Sequence, residues 1–483
     1  MHAEYRDRGP SRTGGSLIRK GLFITLLLVA LLVIAAGVTV GTLALGPGRM
    51  FKPAGPEGLS LSFKPFTLGE LLHFKLQVDV ASSGKEVHAA KLDLIEKRTS
   101  ELRELPLKNP VKFVELPEAA LRFQLMEEFS KKSPAVELEA DQKLLVALGL
   151  FPSDKSLDTV LTNVYTEQIA GSYDTETKEI TLVAGKNANS ATDELTMSHE
   201  TTHALQDQNF GLTKPPLENK DYNGDNDLAV TSLVEGDATV TMLLYGRKFM
   251  TVQQLQEVSN QEVSSHELDT APTYIRKSVL FPYEQGTTFA QALYSSGGED
   301  AVDKALADPP LSTEQILHPE KYIGVRDNPV PVPLDDISSS LGDGWKKIND
   351  DCMGEFDLDV WFGEYTDAAT ATEVSEGWGG NTIQYYQGPG KNYVVVNDTA
   401  WDTNRDAKEF FDNYAKLLEG RFKSKAKKVG SSATAYTYQA DGQLYYCGIN
   451  GDATLALQAT DRAALDKALA DYPQFPPAPQ RGI

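Results

Sequence analysis

The apolar and polar positions divide the chain into stretches of different character. From Gly21 to Gly46, GLFITLLLVALLVIAAGVTVGTLALG contains no charge and is long enough for one bilayer-spanning helix. GPGRMFKPAGPEG follows, and residues 47–58 read as a Pro/Gly-rich stalk. Beyond it the pattern turns globular. FKLQVDV (74–80) and PVKFVEL (110–116) predict strands. GKEVHAAKLDLIEKRTSELREL (84–105), with Val87, Leu92, Ile95 and Leu102 near helical spacing, predicts an exposed amphipathic helix. Helices are expected at about 117–131 and 137–149.

AGSYDTETKEITLVAG (170–185) has a turn-rich centre followed by an alternating run, the pattern of a hairpin. NSATDELTMSHETTHALQDQNF (189–210) opens on Ser190 and Thr192 as N-cap candidates with acids in the first turn, and predicts a helix of about five turns. DLAVTSLVEGDATVTMLLYGRKFM (227–250) predicts a second long helix, and further helices run to about residue 318. After the Pro-rich HPEKYIGVRDNPVPVP (318–333) the pattern changes to aromatic-rich strands with two helices. Hairpin signals stand at Ala440-Asp441-Gly442 and Asn450-Gly451-Asp452. The expected class is therefore α+β: a mainly helical unit with a small sheet (59–333), a separate α+β C-terminal domain (334–475) and a disordered tail (476–483). Residues 59–120 read either as an inhibitory pro-segment or as part of the first unit.

Charge adds an address. Arg6, Arg8, Arg12, Arg19 and Lys20 outnumber Glu4 and Asp7 before the apolar run, which places residues 1–20 in the cytoplasm and the bulk outside. Thr42-Leu43-Ala44 loosely resembles a signal cleavage site, but the run exceeds a typical signal core, so an uncleaved anchor is expected. The net charge of −22 disfavours nucleic acid as a partner. Cys352 and Cys447 would lie where a disulfide persists, so they either form a bridge or remain two buried thiols. The oligomeric state is not set by the sequence.

The chemistry concentrates in SHETTHALQDQ (198–208). His199 and His203, four apart on a helix, point the same way and can grip one ion. Glu200 lies beside them, placed to take a proton from water. A catalytic zinc site wants three protein ligands and one open position. Glu235 supplies a candidate third ligand, as an acid inside an apolar helical run where an unpaired carboxylate would be costly. Asp237 could accept a hydrogen bond from the outer N–H of a ligating histidine. Gly236 suggests close packing against another element. Asp207 is expected to be a solvated acid, and Thr201 and Thr202 to be helix filler.

His199-Glu200-Thr201-Thr202-His203 followed by Glu235-Gly236-Asp237-Ala238 resembles the gluzincin branch of the zincin metallopeptidases. HALQDQNF, LVEGDAT, FPYEQG (281–286) and STEQILHPEKY (312–322) resemble bacterial membrane-anchored members of that class, and the likeness covers about residues 120–325. The resemblance implies a zincin-like fold, Zn²⁺ held by His199, His203 and Glu235, and Glu200 as general base. It also implies a peptide or protein substrate lying along the strand at about 179–184 as a cleft edge. The spacing to Glu235 is longer than in the best-known members. An oxyanion donor is also required, with His318, Tyr283 and Tyr294 as candidates. The competing reading is a catalytically degenerate zincin-like scaffold whose C-terminal domain binds a cell-envelope partner.

Overall fold

The computed structural model describes residues 24–26, 89–132, 135–183, 190–219, 222–260 and 265–479. The expected N-terminal tail, stalk and strand at 74–80 lie outside them. Within the apolar run 21–46 the described residues are Ile24–Leu26, which form a short strand (β1) where a helix was expected. The fold is mixed α+β.

The first unit contains helix α1 (Ala89–Arg103), β2 (Lys112–Leu116), α2 (Glu118–Lys132), α3 (Ala135–Leu148) and α4 (Leu157–Gln168). The hairpin β3 (Ile169–Asp174) and β4 (Glu179–Val183) follows, then the long helices α5 (Ala191–Phe210) and α6 (Gly224–Phe249). Next come α7 (Thr273–Gly297), α8 (Glu299–Ala307) and α9 (Thr313–Leu317). The sheet order is β1-β3-β4-β2. The strand expected to be a cleft edge is therefore internal: β4 pairs antiparallel with β3 and parallel with β2. The α2–α4 crossover returns the chain so that Phe113, on β2, and Ile180 and Leu182, on β4, are buried in one cluster. The other side of the hairpin belongs to β3, where β1 pairs through Ile24↔Ser172 and Thr25↔Gly171.

α1 is not the exposed helix its pattern suggested. It packs against α5 and α6, with Thr99 and Arg103 both fully buried. α6 meets α7 backbone to backbone. A Cβ built on Gly236 would stand 2.1 Å from the Gly286 carbonyl oxygen, and one on Gly286 would stand 2.2 Å from that of Ser232. The close packing expected at Gly236 is this crossing.

The second unit carries β5 (Lys346–Asp351), α10 (Glu355–Gly363), α11 (Ala368–Ser375), β6 (Trp378–Gln387), β7 (Tyr393–Trp401) and α12 (Asn404–Phe422). β8 (Lys427–Ser431), β9 (Ala435–Ala440), β10 (Gln443–Asn450), β11 (Ala453–Ala459) and α13 (Arg462–Ala470) complete it. Its seven strands run in the order β5-β6-β7-β11-β10-β9-β8, all antiparallel. α12 covers one face and α13 the other. Asp441 and Gly442 both adopt positive φ, 47° and 77°, as a two-residue hairpin turn requires.

The expected boundary at 333/334 is not a break in packing. One cluster of buried apolar side chains runs from Leu121 to Ala456. Phe281 packs on Phe356 at 4.4 Å between ring centroids, and Trp361 Nε1 donates to the Leu148 carbonyl at 3.0 Å. The tail expected to be disordered from 476 is ordered as far as the described residues extend. Pro476 O accepts from Tyr446 Oη, Pro479 O accepts from Ser431 N, and Ala478 is buried.

Candidate metal centre

α5 begins where Ser190 Oγ accepts from Asp193 N and ends at Gly211, which takes φ 78° and donates its N–H to Asp207 O. Nearly every residue between is buried. A helix sunk in the protein on all sides must pair its polar side chains. Accordingly, Thr202 Oγ1 donates to Ser198 O, Thr99 Oγ1 donates to Ser198 Oγ, and Glu194 accepts from Tyr245 Oη. α6 begins with a reciprocal cap between Asn223 and Asn226 and runs alongside.

These two helices bring His199, His203 and Glu235 together, each no more than 1% exposed. The Nε2 atoms of His199 and His203 are 3.0 Å apart. Glu235 Oε2 lies 3.2 Å from His199 Nε2 and 3.5 Å from His203 Nε2. Bonds of about 2.0–2.1 Å at tetrahedral angles would hold the donor atoms of a zinc site roughly 3.4 Å apart. The two imidazoles, the carboxylate and their spacing therefore fit a zinc ion.

The carboxylate and the imidazoles shift each other. Burial pushes Glu235 up, but the two histidines outweigh it and hold the carboxyl at about 2. Burial pulls His203 down, but Glu235, helped by Glu200, carries it to about 9. Without metal, His203 is therefore protonated at neutral pH. That proton stabilises the metal-free fold fully below the ordinary histidine value, near 6.5, and its contribution is lost as pH rises through 9. Glu235 contributes above 4.5, and its contribution is lost as pH falls toward 2. A metal must displace the His203 proton. Zinc binding at pH 7 should thus release about one proton, and apparent affinity should rise roughly tenfold per pH unit up to about pH 9. Calorimetry in buffers of different ionisation enthalpy measures this; a proton release near zero at pH 7 would contradict it.

Glu200 is fully buried beside the ligands. Of the three oxyanion candidates, Tyr283 reaches the site: its hydroxyl hydrogen-bonds to Glu235, and burial together with Glu235 keeps it protonated. Tyr165, which the sequence reading missed, is also there, raised to about 12 by burial and Glu235. Tyr294 is 41% exposed. His318 is engaged elsewhere, with Nε2 2.8 Å from Glu355 Oε1.

Asp237 does not bond a histidine, because Gln206 stands between them. His203 Nδ1 lies 2.8 Å from Gln206 Oε1, and Gln206 Nε2 donates to Asp237 Oδ2 at 2.8 Å and to Val234 O at 3.0 Å. Asp237 in turn receives Arg103 Nε at 2.8 and 3.0 Å. The sequence reading missed both Gln206 and Arg103. Gln206 had a signal, lying three residues after His203 on the same helix face. Asp207, expected to be solvated, is buried and accepts from Tyr173 Oη and Lys178 Nζ. Cys352 and Cys447 are buried free thiols rather than a bridge. Cys352 Sγ is turned toward Asn381 Oδ1, while Cys447 lies inside β10 and contacts Tyr436. A second acidic group, Glu314, Asp327 and Asp402, is filled by the Lys321 ammonium, which pairs with all three.

Residues 343–469 match a family described as Domain of unknown function (DUF8575), a span that excludes the triad. No curated protein and no solved structure matches the chain.

Proposed function

We propose that this chain is a zinc metallopeptidase anchored in a membrane, with its bulk on the extracytoplasmic side. The observation that carries the reading is the convergence of His199, His203 and Glu235 on one point, with Glu200 following the first ligand on the same buried helix. His199 and His203 offer their Nε2 atoms and Glu235 its Oε2. When bound, zinc supplies the Lewis acidity that lowers the pKa of water and polarises a peptide carbonyl. Glu200 takes a proton from the attacking water on its carboxylate and delivers it to the leaving amine. Tyr283, kept protonated, is the hydroxyl beside the ligands, and it serves the oxyanion when its one hydrogen turns from Glu235 to that oxygen. Burial of the whole set lowers the local dielectric and strengthens each of these interactions.

Anchoring rests on the uncharged run 21–46 and its basic flank. Pairing of Ile24–Leu26 with β3 uses the same residues, so only one of the two arrangements holds at a time. The test is to recover the full chain from the membrane fraction, measure zinc by elemental analysis and assay cleavage of a quenched-peptide library. We expect about one zinc per chain, lost in His199→Ala, and chelator-sensitive cleavage. A chain purified without zinc that cannot be loaded with it would leave the degenerate-scaffold reading standing.

A further inference from the structure

From the hydrogen-bond geometry we infer that Gln206 is a positioning residue for the metal. It ties the ligand His203 through Asp237 to Arg103, so α1 completes the site from outside the HExxH helix. The inference rests on the zinc reading above.

The chemistry of the chain of contacts fixes every role in it. A metal taken at Nε2 of His203 needs that lone pair, so the ring proton must sit on Nδ1. Nδ1–H then donates to Gln206 Oε1 across 2.8 Å. This sets the orientation of the amide: its oxygen faces the histidine and its nitrogen faces Asp237 and Val234 O. The two amide hydrogens are thereby both used. Asp237 is only 2% exposed and is held from its other side by Arg103, which is fully buried. Arg103 also pairs with Glu299 at 2.9 Å and Asp303 at 2.6 Å, both on α8. The relay thus joins α5, α6, α1 and α8, and its links from His203 through Gln206 and Asp237 to Arg103 are all buried side chains.

An amide is the group this position requires. It must accept from an imidazole on one side and donate to a carboxylate on the other. A carboxylate at 206 would accept from His203 but would meet Asp237 at hydrogen-bond distance, and two carboxylates in contact cannot both be ionised. A methionine would keep the volume and lose both bonds. His199 has no counterpart: among the described residues nothing bonds its Nδ1. Of the two histidines, only His203 is therefore oriented by a partner outside the ligand set.

The experiment uses the full chain, stripped of metal and reloaded with Zn²⁺ or Co²⁺. Gln206→Met and Gln206→Glu are compared with the parent for zinc affinity by chelator competition and for the visible absorption of the cobalt form. Outer partners of metal-bound histidines are worth roughly 10–100-fold in metal affinity. We expect a loss of that size in both variants and a shift of the cobalt bands. Tyr245→Phe is the control: it removes a buried hydrogen bond from α6 to Glu194 on α5, off the relay, and should leave both readouts at the parent values. If Gln206→Met binds zinc as tightly as the parent with unshifted cobalt bands, Gln206 is a structural residue and the inference is overturned. The same follows if Tyr245→Phe weakens metal binding as much as Gln206→Met does. Failure of the parent to bind zinc would instead overturn the metallopeptidase reading.

Discussion

Replacing Glu200 by glutamine is expected to lower peptide hydrolysis by roughly 10²–10⁴-fold, the contribution of a positioned general base, while zinc stays near one per chain. The substitution is isosteric and falls at a position with no exposed surface, so it adds no volume and changes only the ability to take a proton. Glu200 is not one of the three groups whose donor atoms converge, so metal retention is the control that separates loss of the base from loss of the site. Removing its charge also removes one of the influences that raise His203, so the proton on that ring should leave at a lower pH in the metal-free variant. The result that would sink the assignment is a zinc-loaded Glu200→Gln protein that cleaves peptides at the parent rate. Residual activity that disappears on chelation would instead measure what the metal, Tyr283 and substrate orientation supply without the base.

What the sequence reveals and conceals here follows from the range of each interaction. α5 and α6 were readable to within about three residues because caps, first-turn acids and apolar spacing are local signals. The i, i+4 histidines were readable for the same reason: helix geometry converts spacing directly into proximity. Glu235 could be suspected because a carboxylate in an apolar run demands a partner. The partners of Asp237 could not be read, since Arg103 lies 134 residues away and its helix carries an ordinary surface-like pattern. The edge assignment for β4 failed for a related reason. Parallel pairing with β2 depends on a crossover through three helices, and the alternation inside β4 is the same whether one or two neighbours flank it. The Pro-rich stretch at the expected 333/334 boundary marks irregular backbone and says nothing about how the two units pack. Val332 O and Asp335 O accept from Thr382 and Tyr386, so this segment is fastened onto β6.

Arg103→Met should destabilise the metal-free protein by about 3–5 kcal/mol, the cost of removing one partner from a buried ion pair. The guanidinium is fully buried among Asp237, Glu299 and Asp303, and these acids raise its pKa despite the burial that would lower it. Glu299 is already pushed up to about 7, chiefly by burial, with Arg103 opposing the rise. Without Arg103 it would become protonated at neutral pH, whereas Asp237 would keep Gln206 as its only described donor. Denaturant unfolding of the metal-free chain measures the loss without the contribution that bound zinc makes to apparent stability. Asp237→Asn in the Arg103→Met background should recover part of it, because the orphaned charge is then gone. An Arg103→Met protein as stable as the parent would show that the cluster adds nothing net to the fold. A pro-segment can leave without exposing a charge, but cutting the chain after residue 103 would strand Asp237 beside the ligand relay. Removal of α1 is therefore expected to unfold the site rather than to activate it.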